Sequence, residues 1–198
     1  MSRGLKCGLG VGVLAFSLVA CGHGEGLPDS SAQVTGVKSE FRTQGGAYVV
    51  CSAVIRPDGT LSTRTALAVY FTATEAVKTA TVALRGQPTS QYDAFYVQTA
   101  APSQLSVRPG NPYRLLLSAA STSAVYLAQP SHIQTLAVRP PGQVVKVNVV
   151  RATNRQDFSF SPQVTVNGAG MTGSDRSALA LPVYGACTVL STDASDTL

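Results

Sequence analysis

From Gln33 onward the chain is written in short apolar runs with polar residues interleaved, and no stretch sustains a 3.6-residue period. Val34–Arg42, Ala47–Arg56, Thr65–Thr72, Lys78–Arg85, Ala94–Thr99, Tyr113–Ser118, Ile133–Arg139, Gln143–Arg151, Asp157–Val166 and Leu179–Leu190 all read as strands. Several alternate cleanly. Leu67, Val69 and Phe71 share one face and Ala66, Ala68 and Tyr70 the other. Ala80, Val82 and Leu84 oppose Thr79, Thr81 and Arg85, and Val145, Val147 and Val149 oppose Lys146 and Asn148. Tyr48 to Ile55 is apolar on both faces, the pattern of a central strand.

The breaks between runs carry turn chemistry. In Arg56-Pro57-Asp58-Gly59-Thr60, proline supplies a fixed φ and glycine accepts a positive one, so a hairpin is expected there. Arg108-Pro109-Gly110-Asn111-Pro112 and Arg139-Pro140-Pro141-Gly142 are equivalent breaks. About ten short strands so punctuated predict an all-β chain, an antiparallel β-sandwich of Ig-like or Greek-key type architecture. Two small modules split near 86–93 or 100–112 are the alternative, although no internal repeat supports them. The chain has no Trp, and Cys51 and Cys187 are too far apart for the immunoglobulin pattern, so the sandwich is an architecture and not a family.

The first twenty residues are of another kind. Arg3 and Lys6 precede a run from Gly8 to Ala20 that has no charge and a single hydroxyl, Ser17. The run is too short for a transmembrane helix, which needs about 20 apolar residues. It closes on Leu18-Val19-Ala20-Cys21: a branched apolar residue three places before a cysteine, and a small residue just before it. This order resembles the lipobox of bacterial lipoproteins, and the resemblance covers residues 1–22 only. It implies a signal peptide over 1–20, cleavage between Ala20 and Cys21, and lipid on Cys21 that attaches the chain to a membrane outside the cytoplasm. Gly22 follows the cysteine where an aspartate would retain an enteric-type lipoprotein at the inner membrane; by that rule the outer membrane is expected if the envelope is diderm. Gly22 to Ala32 reads as a flexible tether with a reach of at most about 36–40 Å. The β-domain is expected over 33–191 and a polar tail over 192–198.

Composition narrows the partners. Removing 1–20 takes Arg3 and Lys6 from the 15 basic residues, leaving 13 against 10 acidic ones, scattered singly. That balance gives no electrostatic footprint for nucleic acid. Only 13% of the chain is charged, about half the usual share. Of four cysteines, Cys7 leaves with the signal and Cys21 is assigned to lipid. Cys51 and Cys187 remain, and outside the cytoplasm a disulfide between them is expected, with two buried thiols as the alternative.

No motif carries catalysis. Gly168-Ala169-Gly170-Met171-Thr172-Gly173 matches G-x-G-x-x-G, but the segment after it is stopped by Pro182 and too short for a crossover helix, so it reads as a hairpin loop. Histidine occurs only at 23 and 132, and neither H-x-x-H nor a G-x-S-x-G elbow exists. The acids show no pairing suited to glycosidase work, and Asp58 belongs to a turn. No metal or cofactor is expected. Tyr92, Phe95 and Tyr96 cluster around Asp93 and are the candidate binding surface. The expected function is a non-catalytic structural or protein-interaction lipoprotein of the cell envelope, with an envelope protein as partner. The alternative is a binding module for a small ligand, sugar or peptidoglycan, using a pocket at Tyr92, Phe95, Tyr96 or Tyr113. An enzyme built on His132 and a carboxylate is the remaining reading.

Overall fold

The structure, a computed structural model, describes residues 32–62, 64–74, 76–89, 97–107, 113–120, 133–135, 142–152, 159–168, 172–176 and 179–198. The chain is all-β and sandwich-like, as the alternation predicts. Its strands are β1 (Ala32–Ser39), β2 (Phe41–Thr43), β3 (Tyr48–Cys51), β4 (Val54–Ile55), β5 (Leu61–Ser62), β6 (Arg64–Ala73), β7 (Thr79–Gln87), β8 (Val97–Ala100), β9 (Leu105–Val107), β10 (Tyr113–Ala120), β11 (Ile133–Thr135), β12 (Gln143–Ala152), β13 (Ser159–Asn167), β14 (Thr172–Arg176) and β15 (Leu181–Thr197).

The smaller sheet runs β1-β6-β10-β11, with β9 also on β10. The larger runs β12-β2-β3-β15-β13-β7-β8 and carries β14 on β13 and the β4–β5 hairpin on β15. Between them lies the main core. Leu67, Val69, Phe71, Leu115 and Leu117 from the small sheet meet Val82, Leu84, Phe160, Val164 and Val183 from the large one. Each such side chain removed from water contributes about 1.5–3 kcal/mol. The faces assigned from alternation in β6 and β7 are the observed ones.

Two differences from the sequence reading concern the large sheet. It is not wholly antiparallel: β2 pairs with β12, and β3 and β4 with β15, in parallel. The described residues also hold fifteen strands where about ten were expected, because corners and breaks divide runs that are continuous in pattern. One corner is at Ser39-Glu40, between β1 and β2. The Ser39 hydroxyl is buried, donates to the Val49 carbonyl at 2.6 Å and accepts the Phe41 N–H at 3.1 Å. This satisfies the backbone where the chain leaves one sheet for the other.

The pairings β12–β2, β2–β3, β3–β15 and β15–β12 also close a ring. A second core is packed within it: Phe41, Val49, Cys51, Val54, Val147 and Cys187. Strand β3 therefore lies between two cores. Val50 joins the main one, while Val49 and Cys51 join the ring. This is why the run from Tyr48 is apolar on both faces.

Cys51 and Cys187 are bridged inside the ring, with Cα atoms 6.0 Å apart across 136 residues of sequence. The stretch expected as a polar tail is the last part of β15. It pairs with β12 as far as Thr197, and Leu198 is buried against Ala68, Tyr70 and Leu116 on the outer face of the small sheet. Thr192, Ala194 and Ser195 stay exposed, while Asp193 is buried beside Lys146 and Arg42.

The bridge closes so long a loop that chain entropy sets its contribution at about 5 kcal/mol at most. Replacing Cys51 and Cys187 together by alanine is expected to lower the unfolding free energy by about 2–5 kcal/mol. Urea unfolding followed by circular dichroism measures it; an unchanged midpoint would refute the role.

Candidate functional site

Glu40 sits at the corner where the two sheets part. Its N–H donates to the Ala66 carbonyl at 2.9 Å, its carbonyl accepts the Val145 N–H at 2.7 Å, and its Oε1 accepts the Ala66 N–H at 2.6 Å. The side chain thus continues the β1–β6 ladder for one more rung and carries a carboxylate to the mouth of the ring. Burial pushes this carboxyl above the ordinary glutamate value, against the opposing pull of the Ala66 N–H and of the positive charge on Arg56.

Arg56 arrives from the turn between β4 and β5. There Gly59 adopts φ +81° and the Arg56 N–H donates to the Thr60 carbonyl at 2.9 Å. Asp58 Oδ1 accepts from the Thr60 hydroxyl at 2.7 Å and the Thr60 N–H at 2.9 Å, and these bonds hold its carboxyl below the ordinary value. The turn and hairpin stand as the Pro-Asp-Gly sequence predicts.

Between corner and turn is a cleft of about 430 Å³, with Glu40, Arg56, Asp58 and Thr192 at its rim. Its apolar wall is Phe41, Val54, Val145 and Val189, all belonging to or packed on the ring core. Neither Glu40 nor Arg56 has an ion-pair partner among the described residues, although both face this space.

A second polar cluster fastens the end of β15. Asp196 takes Lys38 Nζ at 2.7 Å, Arg42 at 3.3 Å and the Tyr48 hydroxyl at 2.5 Å. Asp193 accepts the Ser195 hydroxyl at 2.6 Å and lies 3.6 Å from Lys146 and 3.7 Å from Arg42. The Asp193 carboxyl is lowered chiefly by the Ser195 hydroxyl. For Asp196, burial would raise the carboxyl, but the bonds from Lys38 and Tyr48 outweigh it and the net shift is downward. The cluster draws together β1, β2, β3, β12 and β15. Each of its three cations, Lys38, Arg42 and Lys146, pairs with at least one of its two acids, so the cluster acts as a fastening.

Of the residues singled out from sequence, the structure joins Cys51 to Cys187. Ala20, Cys21, Tyr92, Phe95, Tyr96 and His132 lie outside the described residues. Tyr113 is described; it is half-buried, packs against the main core and stacks on Phe71 with ring centroids 5.3 Å apart. The glycine motif falls at the β13–β14 hairpin, where Asn167 pairs with Thr172 and Val166 with Gly173; this is the hairpin that its context predicts. Among the described residues no three His, Cys, Asp or Glu side chains gather as metal ligands. The cleft pair was missed because Glu40 and Arg56 match no local motif. The available signals were an acid inside an otherwise strand-like run and a basic residue at the foot of a turn. Comparison with protein-family models, with curated proteins and with solved structures found no match.

The acids make opposite pH predictions. Asp193 and Asp196 are depressed, so their contribution is present above the unfolded carboxylate value near about 4 and is lost as pH falls through their folded values. Glu40 is raised, so its charge destabilises the fold at neutral pH, and the penalty is relieved as pH falls through its folded value. Stability is therefore expected to rise on mild acidification and to fall below about pH 4. Glu40→Gln should flatten the first limb and Asp196→Asn the second, as read by urea midpoints across pH.

Proposed function

We propose that this chain is a lipid-anchored lipoprotein of the cell envelope, held to a membrane through Cys21, whose β domain has a non-catalytic structural or protein-interaction role. The observation that carries the reading is the order of the N-terminal residues: Arg3 and Lys6, an uncharged run, then Leu18-Val19-Ala20-Cys21. Two features of the domain support it. The Cys51–Cys187 bridge suits an oxidising compartment. The low charge, 13% of residues, suits a surface that meets a partner. A sandwich presents loops and strand edges by which such a partner can dock. By the rule at the residue after the cysteine, Gly22 directs the lipoprotein to the outer membrane where there is one.

The anchor is tested in a bacterial host by fractionation and intact mass. Processed protein is expected to begin at Cys21, to carry acyl chains and to sediment with membranes, since two or more chains anchor stably where one does not. Cys21→Ala is expected to leave the membrane fraction or to remain uncleaved. A Cys21→Ala protein that is cleaved after Ala20 and stays wholly membrane-bound would overturn the reading.

A further inference from the structure

The mouth of the ring holds two opposite charges that feel each other but form no ion pair among the described residues. Glu40 is anchored by one carboxylate oxygen to the Ala66 N–H, and its other oxygen has no hydrogen-bond partner among the described residues. Arg56 is exposed, and its guanidinium makes no hydrogen bond or ion pair among the described residues. Both line the same cleft of about 430 Å³, within the range of small-molecule sites. Asp58, two residues from Arg56, feels its positive charge, but it forms no ion pair with it among the described residues, and its Oδ1 is held by Thr60. The floor is apolar: Phe41 and Val54 are buried, and Val145 and Val189 are half-buried.

We propose that this cleft binds an α-amino carboxylate group, its ammonium on Glu40 and its carboxylate on Arg56, with a compact apolar side chain on Val145 and Val189. The chemistry follows from what each group lacks. A half-buried carboxylate with a single N–H donor is under-compensated, and an ammonium supplies both charge and further donors. A guanidinium offers a planar fork that matches a carboxylate. A simple amine would leave Arg56 facing a second cation, and a simple acid would leave Glu40 facing a second anion. A group carrying both charges on one carbon satisfies the two together, and a wall of valines selects an aliphatic body. The cleft needs nothing from the lipid anchor, so it stands whether or not the chain is anchored.

The test uses the full-length protein in detergent micelles and calorimetric titration with three probes: L-leucine, L-leucinamide and N-acetyl-L-leucine. Leucine is expected to bind about tenfold or more tighter than either blocked form, since each leaves one protein charge unpaired. Glu40→Gln keeps an acceptor for the Ala66 N–H and is expected to weaken leucine by about tenfold or more while leaving N-acetyl-leucine unchanged. Arg56→Met alters an exposed residue and is expected to weaken leucine similarly while leaving leucinamide unchanged. Circular dichroism establishes that each variant is folded. A peptide bearing a diamino dicarboxylic acid, attached through one end only, presents the same group on a polymer fragment. Tighter binding of that peptide than of leucine assigns the source to a polymer; weaker binding assigns it to free amino acids. Failure of all probes at millimolar concentration, equal binding of the three leucine forms, or leucine affinity unchanged in both folded variants would overturn the proposal.

Discussion

Strand β15 has seventeen residues and must satisfy four other strands. It pairs with β13 at its start, with β3 and then β4 in parallel, and with β12 over most of its length. Parallel pairing of β3 with β15 is possible only because a long stretch of chain separates them. It also demands that the chain ends of the domain be brought side by side, which costs loop-closure entropy before any contact forms. The bridge between Cys51 and Cys187 removes that entropy from the unfolded chain. The Ser52-Ala53 break between β3 and β4 does not interrupt the ladder: the Ser52 N–H reaches the Tyr184 carbonyl at 2.8 Å, and the Cys187 N–H reaches the Ala53 carbonyl at 2.9 Å. With β15 held this way, the ring closes, β3 acquires two buried faces, and the cleft at Glu40 has a wall.

What could be read from sequence follows from which interactions are local. Period-two alternation reports the buried face of a strand, and in β6 and β7 it reported it correctly. The hairpin at Asp58-Gly59 rests on turn chemistry within a few residues and stands, and β13 and β14 pair antiparallel on either side of the glycine motif. Ring closure could not be read, because it depends on pairings between residues about a hundred positions apart and on bulges. In β12 the register shifts between Lys146 and Val147, so Val144 and Val147 are both buried although they differ in parity. The β1 corner at Ser39 is likewise invisible to a pattern method, since it depends on one serine hydroxyl finding the Val49 carbonyl.

Charge was the other blind spot. An Asp-rich terminal stretch ordinarily reads as solvated, and here Asp193 and Asp196 are drawn into contact with Lys38, Arg42, Tyr48 and Lys146 from four other strands. None of those partners is near in sequence. The aromatic residues had the opposite fate. Tyr113, a candidate for a pocket wall, is taken up by stacking on Phe71.

The contrast between the two acidic environments bears on what the ring is for. Asp196 has three partners and Asp193 has a hydroxyl, a lysine and an arginine, which is how a protein with few charges uses them as fastenings. Glu40 is treated differently. Its structural duty, accepting the Ala66 N–H, would be met equally by glutamine, without the desolvation of a carboxylate. Arg56, whose charge opposes the upward shift of the Glu40 carboxyl, lines the same cleft but forms no ion pair with it among the described residues. Stability therefore accounts for an acceptor at position 40 but not for a negative charge there. Among the described residues, the only charge that draws on Glu40 from within the cleft is Arg56, which also acts on Asp58, so the attraction is shared and the Glu40 carboxylate keeps capacity for a cation.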